Sequence, residues 1–326
     1  MPLAPEIAAI LAQLAADETS QRPTETDLAG ARASHEHDAA AFSPPRTRAE
    51  VGAVEMTRFP GPGGPVPVRI YRPRLEDTAT LIPVVLWFHG GGWTTGSLET
   101  GDILARAVCH HTPAAVVAVD YRLAPEHPWP AATDDALAAL GWLSEHLGEL
   151  GGDPSRLAVG GDSAGGNIAA AVAHAARDGD IDLAAQILVY PFLDLDAANE
   201  PAYPSMSRNA KDYYVTLADL HWCVSNYVRA GADPADHRVS PLRDDAFAGL
   251  PATVLATAEF DPLADQGLAY AARLRDAGVP VIGHSGAGLI HGYGDMSGTS
   301  ITAQQELRRL LASVVETLGV ARPSIR

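Results

Sequence analysis

Residues 156–167 read RLAVGGDSAGGN, and this stretch decides the fold. The pattern G-x-S-x-G lies within it and is centred on Ser163. The apolar run Leu157–Gly160 predicts a strand before the serine, and the alanine-rich run Gly165–Arg177 predicts a helix after it. A serine in this position is typical of the nucleophile elbow, a strained turn that exposes the hydroxyl at the edge of a sheet. We therefore expect Ser163 to be a nucleophile.

A second glycine-rich segment, HGGGW at residues 89–93, follows the apolar run Val84–Phe88. Successive glycines let backbone amides approach a ligand closely, and an HGGG segment ahead of the elbow fits half of an oxyanion hole. We assign the N–H groups of Gly90, Gly91 and Ala164 as oxyanion donors, and expect His89 to brace the glycine loop. A flexible turn or a phosphate loop is the alternative, but no G-K-[ST] follows.

A serine nucleophile needs a base and an acid that orients the base. Where the serine lies on a nucleophile elbow, the acid follows it in the chain and the histidine comes last. Only His284 and His291 lie beyond the last suitable acid position, and His291 stands in a loop after the final predicted strand. Asp261 follows the run Val254–Ala258 and is the preferred acid. It also fits a helix cap before Pro262, and one carboxylate would not easily serve both roles. The rivals are His284, Glu259 and Asp265.

Short apolar runs alternate with helical patterns along most of the chain, which predicts a mostly parallel sheet flanked by helices. The predicted strands are Val54–Phe59, Val66–Tyr71, Val84–Phe88, Ala115–Val119, Leu157–Gly160, Ile187–Tyr190, Val254–Ala258 and Val279–Ile282. The predicted helices are Asp102–His111, Ala131–Leu147, Gly165–Arg177, Leu217–Arg229, Leu263–Ala277 and Thr302–Leu318, with a further amphipathic helix near the start.

Two stretches of the chain, residues 1–50 and 195–249, lack the alternation of strands and helices. We expect residues 1–50 to form the first part of a helical cap, residues 51–194 the first part of the core, residues 195–249 a cap insertion and residues 250–326 the rest of the core. The insertion falls at the carboxyl edge of the sheet, where open α/β sheets bind ligands. Aromatic residues expected to line the pocket or the cap are Trp93, Phe192, Tyr214 and Trp222.

Composition excludes several functions. Of 326 residues, 47% are hydrophobic, and the net charge of −17 disfavours nucleic acid and anionic membranes. The two cysteines exclude a disulfide framework, and no signal peptide or membrane span is indicated, which predicts a cytoplasmic protein. The cluster of residues 35–38, His-Glu-His-Asp, is interpreted as a solvated helix face and not as a metal site.

In combination, these motifs resemble the hormone-sensitive-lipase-like family, bacterial family IV, of α/β-hydrolase esterases. The matching segments run from about 85 to 295 and are residues 89–93, 121–126, 153–156, 161–166, 190–191, 261–263 and 291–293. The resemblance implies a Ser163–Asp261–His291 triad, the oxyanion donors named above, a helical cap, short- to medium-chain acyl esters as substrates, and a homodimer as a common form. Residues 285–288, SGAG, depart from the family pattern of an aromatic residue and Pro-Gly before the histidine loop.

The sequence thus predicts a serine carboxylesterase of α/β-hydrolase fold that needs no metal and no organic cofactor. A small-molecule ester is the expected partner, with no stable membrane insertion. Hydrolysis of amides, carbamates or acetylated small molecules by the same triad stays open as an alternative. A non-catalytic receptor of this fold lacks the histidine, so His291 argues against that class. The acidic surface and the absence of a strongly apolar lid helix argue against a lipase.

Overall fold

The computed structural model describes residues 2–75, 80–229 and 231–320, and within them one eight-stranded sheet forms the centre of the protein. The strands are β1 Ala53–Gly61, β2 Gly64–Arg72, β3 Ile82–Phe88, β4 Ala115–Val119, β5 Gly152–Asp162, β6 Ala185–Val189, β7 Ala252–Ala256 and β8 Val281–His284. They lie in the order β1-β2-β4-β3-β5-β6-β7-β8. Strands β3 to β8 are parallel, and β2 is antiparallel to β1 and β4. The predicted mostly parallel sheet is confirmed.

Helices cover both faces of this sheet. They are α1 Pro5–Ala16, α2 Leu28–Phe42, α3 Asp102–His111, α4 Ala131–His146, α5 Ala164–Arg177, α6 Pro204–Arg208, α7 Leu217–Tyr227, α8 Ala264–Asp276 and α9 Ile301–Thr317. Helices α4, α5 and α8 pack on one face, and α3 and α9 pack on the other. The five longer predicted helices of the core therefore all form, each within a few residues of its expected bounds.

Burial on both sides explains why the strands read as continuous apolar runs. Successive side chains of a strand point to opposite faces. In β3, Val84, Leu86 and Phe88 join the hydrophobic cluster on one face, and Val85 and Trp87 join the cluster on the other. By contrast, β1 lies at the edge of the sheet, and most of its residues are exposed. When both faces of a strand are covered, side chains on either face must be apolar, so the strand appears in the sequence as a continuous apolar run.

All eight predicted strands form, β4 with its predicted bounds and the others with ends that lie up to five residues away, and two of these differences have a clear cause. Strand β5 begins at Gly152, five residues before the predicted start, because the polar stretch after Gly152 also continues the strand. Strand β8 begins at Val281 and not at Val279. The N–H of Val279 is bonded to the carbonyl O of Leu274 in the preceding helix, 2.9 Å away, and Pro280 has no N–H to contribute. The chain therefore joins the sheet only after the proline.

The helices before the sheet and the segment 195–249 meet above the carboxyl ends of the parallel strands. Arg22, between α1 and α2, contacts Asp219 on α7, with 3.4 Å from Nη1 to Oδ2. Arg32 on α2 reaches the loops that follow β3 and β4, where it donates to the carbonyl O of Thr94 at 3.0 Å and pairs with Glu126 at 2.8 Å. These contacts join the two regions to each other and to the glycine loop of the core.

The interpretation of residues 35–38 as a solvated helix face is wrong for two of the four. Asp38 is 4% exposed, and His35 is bonded through Nδ1 to Oγ1 of Thr95 at 2.9 Å. Burial lowers the pKa of His35 to about 4, so its ring is neutral at pH 7. Glu36 and His37 are exposed as expected. The face carrying His35 and Asp38 is covered by the core and by segment 195–249, which a local pattern does not indicate.

Candidate active site

Ser163 occupies the turn between β5 and α5. Its backbone has φ +53° and ψ −117°, a conformation that non-glycine residues rarely adopt. The turn is tight enough that a Cβ on Gly165 would collide with the carbonyl O of Phe88, and a Cβ on Gly161 would collide with the backbone of Gly165. Glycines at both positions are therefore required for the strand and helix to approach, and the serine side chain is left facing the cavity.

Asp261, His291 and Ser163 form one continuous hydrogen-bonded row. The distance from His291 Nε2 to Ser163 Oγ is 2.8 Å, and that from His291 Nδ1 to Asp261 Oδ2 is also 2.8 Å. Asp261 is fully buried and His291 is 4% exposed. A buried carboxylate on Nδ1 fixes the tautomer in which Nε2 accepts a proton from the serine. The row therefore has the geometry of a nucleophile, a base and an orienting acid.

The expectation that the Asp261 carboxylate would not serve two roles is wrong. Its Oδ1 accepts the N–H of Leu263 at 2.8 Å, at the head of α8, while Oδ2 accepts from His291. The two oxygens thus satisfy a helix terminus and an imidazole at once. The bond to Leu263 fixes the carboxylate plane and so contributes to the orientation of His291.

The rival residues lie elsewhere. His284 is bonded through Nε2 to Oγ of Ser313 at 3.0 Å, on α9. Asp265 accepts the N–H of Ser205 at 2.7 Å. Glu259 accepts the N–H of Gly288 at 2.8 Å and so holds the loop before His291. The structure therefore brings His291 and Asp261 to Ser163 and leaves these three residues in other contacts.

The segment 285–288, which departs from the family pattern, is nevertheless held on two sides. Besides the bond to Glu259, the carbonyl O of Gly288 accepts the N–H of Ala4 at 2.9 Å. Gly288 has φ +73°, and Gly286 has φ +49°, so the small residues meet a conformational requirement of this turn. The N-terminal segment before α1 thereby contacts the loop that carries His291.

Gly90, Gly91 and Ala164 surround the serine with backbone groups. Gly90 and Gly91 line the same cavity as Ser163, and Ala164 is the first residue of α5. Gly91 has φ +115°, and a Cβ there would collide with the carbonyl O of Thr95. The amide of Ala164 belongs to a helix N-terminus, where unbonded N–H groups and the helix dipole favour negative charge. These are the features that oxyanion stabilisation needs.

His89 braces this loop as a neutral ring. Its Nδ1 donates to the carbonyl O of Gly90 at 2.7 Å, and its ring stacks on Tyr121 at 4.4 Å. Tyr121 in turn donates its hydroxyl to the carbonyl O of His89 at 2.7 Å. Burial lowers the pKa of His89 to about 4, so no charge arises there at neutral pH.

The site opens into a cavity of about 600 Å³. Leu11 and Leu14 of α1 line it from one side, and residues 212–215 and α7 line it from another. Among the aromatic residues expected there, Phe192, Tyr214 and Trp222 do line the cavity. Trp93 does not; it is fully buried and stacks on Tyr227 at 4.4 Å.

None of the carboxyl groups of the cavity wall was assigned a functional role from the sequence, and three of them are enclosed beside the site: Asp38, Asp162 and Asp295. Burial raises the pKa of all three, for Asp295 to about 7. Asp162 stands inside the G-x-S-x-G pattern, and Asp295 lies four residues after His291. Their closeness in the sequence to Ser163 and His291 could have indicated that they lie at the site. Asp38 offered no such signal.

Among the residues described, no group of three or more histidine, cysteine, aspartate or glutamate side chains is placed to hold a metal ion. No helix in the described parts of the chain has the length and apolar character needed to cross a bilayer.

Comparison with known proteins places the chain in a family. The profile of the α/β-hydrolase fold matches residues 85–295. Carboxylesterase NlhH of Mycobacterium tuberculosis is 43% identical over 262 residues, which cover 78% of this chain and 79% of that protein. Carboxylic ester hydrolase LipN of the same organism is 43% identical over 242 residues, 72% of this chain, and the match spans less than two thirds of its length, 62%.

A solved structure agrees with these relatives. The hyperthermophilic esterase from the archaeon Pyrobaculum calidifontis superposes with a TM-score of 0.89 at 35% identity, covering 97% of this chain and 99% of that one. The fold described above is thus shared with a protein named as an esterase, in agreement with the esterase names of the relatives. The chain belongs to the hormone-sensitive-lipase-like family, bacterial family IV, of carboxylic ester hydrolases with the α/β-hydrolase fold.

Proposed function

We propose that the protein is a serine carboxylesterase that hydrolyses short- to medium-chain acyl esters through an acyl-enzyme on Ser163. The observation that carries this proposal is the row of two 2.8 Å contacts from Asp261 through His291 to Ser163, at the wall of a cavity. The esterase names of the relatives support the reaction class.

In the first half of the reaction, His291 Nε2 takes the proton of Ser163 as Oγ attacks the ester carbonyl. The amides of Gly90, Gly91 and Ala164 hold the oxyanion of the tetrahedral intermediate. Loss of one such donor typically costs about 2.7–4 kcal/mol of transition-state stabilisation. The intermediate collapses when His291 gives its proton to the departing alcohol, and the acyl group stays on the serine.

In the second half, water enters at the position that the alcohol has left. His291 removes a proton from this water, which attacks the acyl carbonyl at the same oxyanion site. The serine leaves with the proton from His291, and the free acid is released. Throughout, Asp261 accepts from Nδ1 and stabilises the imidazolium, a role that its full burial and its bond to Leu263 support.

The size of the cavity supports the proposed chain length. A volume of about 600 Å³ is that of an ordinary small-molecule site. Leu11 and Leu14 on α1 and Leu220 and Trp222 on α7 supply apolar surface for an acyl or alcohol chain. A much longer chain would extend past this apolar wall to the exposed mouth of the cavity.

A panel of p-nitrophenyl esters from C2 to C12, with the matched butyranilide, tests the proposal. We expect kcat/KM to be highest among the short and medium esters and to be far lower for the anilide. Ser163→Ala should remove this turnover. Ser155→Ala, which changes an exposed serine of β5, should leave it intact. Anilide turnover equal to ester turnover would favour the amide hydrolase alternative, and turnover that survives in Ser163→Ala would overturn the proposal.

A further inference from the structure

The carboxyl groups that line the cavity fall into two kinds. Asp219 is compensated, since it contacts Arg22 at 3.4 Å and accepts from the hydroxyl of Thr216 at 2.6 Å. Asp17 is compensated too, since it pairs with His37 at 2.8 Å at the exposed mouth. Among the enclosed carboxyl groups of the wall, Asp38, Asp162 and Asp295 form no ion pair with an arginine or lysine of the described residues. A ligand that enters the cavity would therefore meet the carboxyl groups that have no such partner.

Asp38 is the most deeply enclosed of these groups on the cap side. It is 4% exposed, and its Oδ1 has no hydrogen-bond partner among the described residues. Its Oδ2 accepts from the hydroxyl of Tyr214 over a long 3.4 Å, and the Ser20 hydroxyl also acts on the carboxyl. A carboxyl oxygen that is buried at the cavity wall and makes no hydrogen bond within the described residues can accept one from a group that enters the cavity.

Asp295 faces the same region from the core. It lines the cavity, is partly exposed, and lies at the end of the loop that begins with His291. Tyr214 links the two carboxyl groups: its hydroxyl bonds to Asp38, and its ring edge lies against Gly292, where an added Cβ would be 3.3 Å from it. Burial raises the pKa of the Tyr214 phenol, and Asp38 and Asp295 both add to this shift, which fits their proximity to the ring.

The third carboxyl group, Asp162, adds to the same imbalance beside the nucleophile. It is 5% exposed, and its Oδ1 also has no partner among the described residues. Of the basic side chains in the described wall, Arg22 is committed to Asp219 and to the carbonyl O of Tyr213, His35 is neutral at pH 7, and His291, which acts on Asp295, is bonded to Ser163 and Asp261. The inner wall therefore offers more carboxyl groups than basic side chains, together with aromatic faces.

We propose that Asp38, Asp295 and the aromatic face of Tyr214 form a recognition site for a cationic group, so that the enzyme prefers esters carrying an alkylammonium to neutral esters of the same shape. This inference rests on the proposed esterase function and adds the substrate class. Burial favours the protonated form of these carboxyl groups, and an ammonium placed against them favours the ionised form, which it attracts more strongly than it attracts an exposed carboxylate. An aromatic face adds a cation–π contribution. The net charge of −17 also attracts a cation toward the protein.

Two pairs of isosteric substrates test the preference at each end of the ester. The first pair is butyrylcholine and its analogue with a tert-butyl carbon in place of the trimethylammonium. The second pair consists of the p-nitrophenyl esters of 4-(trimethylammonio)butanoic acid and of its tert-butyl isostere. Because each pair differs only in charge, the ratio of kcat/KM within a pair isolates the electrostatic preference. In at least one pair we expect a ratio of about ten or more in favour of the cation.

The variants Asp38→Asn and Asp295→Asn should each lower that ratio at least about threefold while the neutral ester is still hydrolysed. Asp212→Asn is the matched control, because this carboxylate lies at the rim of the same cavity but is exposed to water. Its ratio should change less than about twofold, since an exposed charge is screened. Turnover of the neutral ester verifies that each variant is folded.

A ratio near one in both pairs of the wild-type enzyme would overturn the cation site, even if a variant fails to fold. An unchanged ratio in both Asp→Asn variants would overturn the assignment to these residues. Neither result contradicts the proposed esterase function if the wild-type enzyme hydrolyses the neutral esters and Ser163→Ala does not. Failure to hydrolyse any neutral ester would instead contradict the proposed function itself.

Discussion

Ser163 Oγ and His291 Nε2 lie 2.8 Å apart although 128 residues separate them in the sequence. Ser163 follows β5, and His291 follows β8, three strands away across the sheet. The gap is closed by the loop 285–291, which reaches back over the edge of β7 and is bonded to Phe260 and Glu259 on the way. The carboxyl ends of the parallel strands thus supply the nucleophile, and a loop anchored on their neighbours supplies the base.

The substitution Asp261→Asn should lower kcat for p-nitrophenyl butyrate by roughly 10³–10⁴-fold, because an amide at this position favours the wrong tautomer of His291. The measurement is steady-state kinetics, with thermal unfolding to check that the fold is kept. Asp265→Asn serves as the control, since Asp265 bonds Ser205 and does not contact the histidine. Its kcat should stay within a few-fold of wild type, and an equal loss in both variants would contradict the assignment of the acid.

Gly91→Ala should lower kcat/KM about a hundredfold or more, because a Cβ at this φ of +115° collides with the carbonyl O of Thr95 and displaces an oxyanion donor. Gly141→Ala is the matched control. Gly141 lies within α4, and an added Cβ there meets nothing within 4 Å. This control should keep full activity and gain about 0.5–1 kcal/mol of unfolding free energy. Wild-type activity in Gly91→Ala would contradict the proposed donor.

Asp295 should make the folded protein less stable as the pH rises. Burial raises its pKa from 3.8 to about 7, so between these values the folded state keeps a proton that the unfolded chain has lost. The unfolding free energy therefore falls with rising pH across that window. Asp295→Asn removes the titration, so the stability of the variant relative to wild type should increase from pH 5 to pH 8 in urea unfolding.

Asp178 provides the control for this pH dependence, because its pKa is shifted in the opposite direction from that of Asp295. Arg177 holds the pKa of Asp178 below its usual value, so that group contributes stability at neutral pH that is lost on acidification. In Asp178→Asn, stability relative to wild type should stay level or fall as the pH rises. A relative stability of Asp295→Asn that does not change with pH would show that Asp295 ionises as readily in the folded protein as in the unfolded chain.

The sequence was most informative where a local motif dictates the backbone. The turn at Ser163 was predictable because a strand, a G-x-S-x-G segment and a helix in succession indicate one kind of tight turn. The sheet was predictable because strands covered on both faces leave continuous apolar runs. The dual use of the Asp261 oxygens was missed because the pattern shows a residue type and not the separate directions of its two lone-pair acceptors.

Residues whose surroundings come from distant segments were the least predictable. Asp38 reads as part of a polar helix face, but Tyr214, 176 residues away, covers it. Trp93 follows the glycine loop and was expected in the pocket or the cap; it is absent from the cavity wall, and Tyr227 of segment 195–249 stacks on it. In both cases the decisive contact is made by segment 195–249, whose sequence predicts one helix but not the path of the segment over the core. The carboxyl groups of the cavity wall were therefore found only in three dimensions.

The most direct test of the account is labelling with an organophosphate, followed by peptide mapping in a mass spectrometer. We expect one phosphoryl group per chain, carried by Ser163, with loss of ester hydrolysis in proportion to labelling. Ser155→Ala should be labelled like wild type, and Ser163→Ala should not be labelled. Inactivation with the label on any other residue, or full labelling of Ser163 with hydrolysis undiminished, would contradict the assignment of Ser163 as the nucleophile.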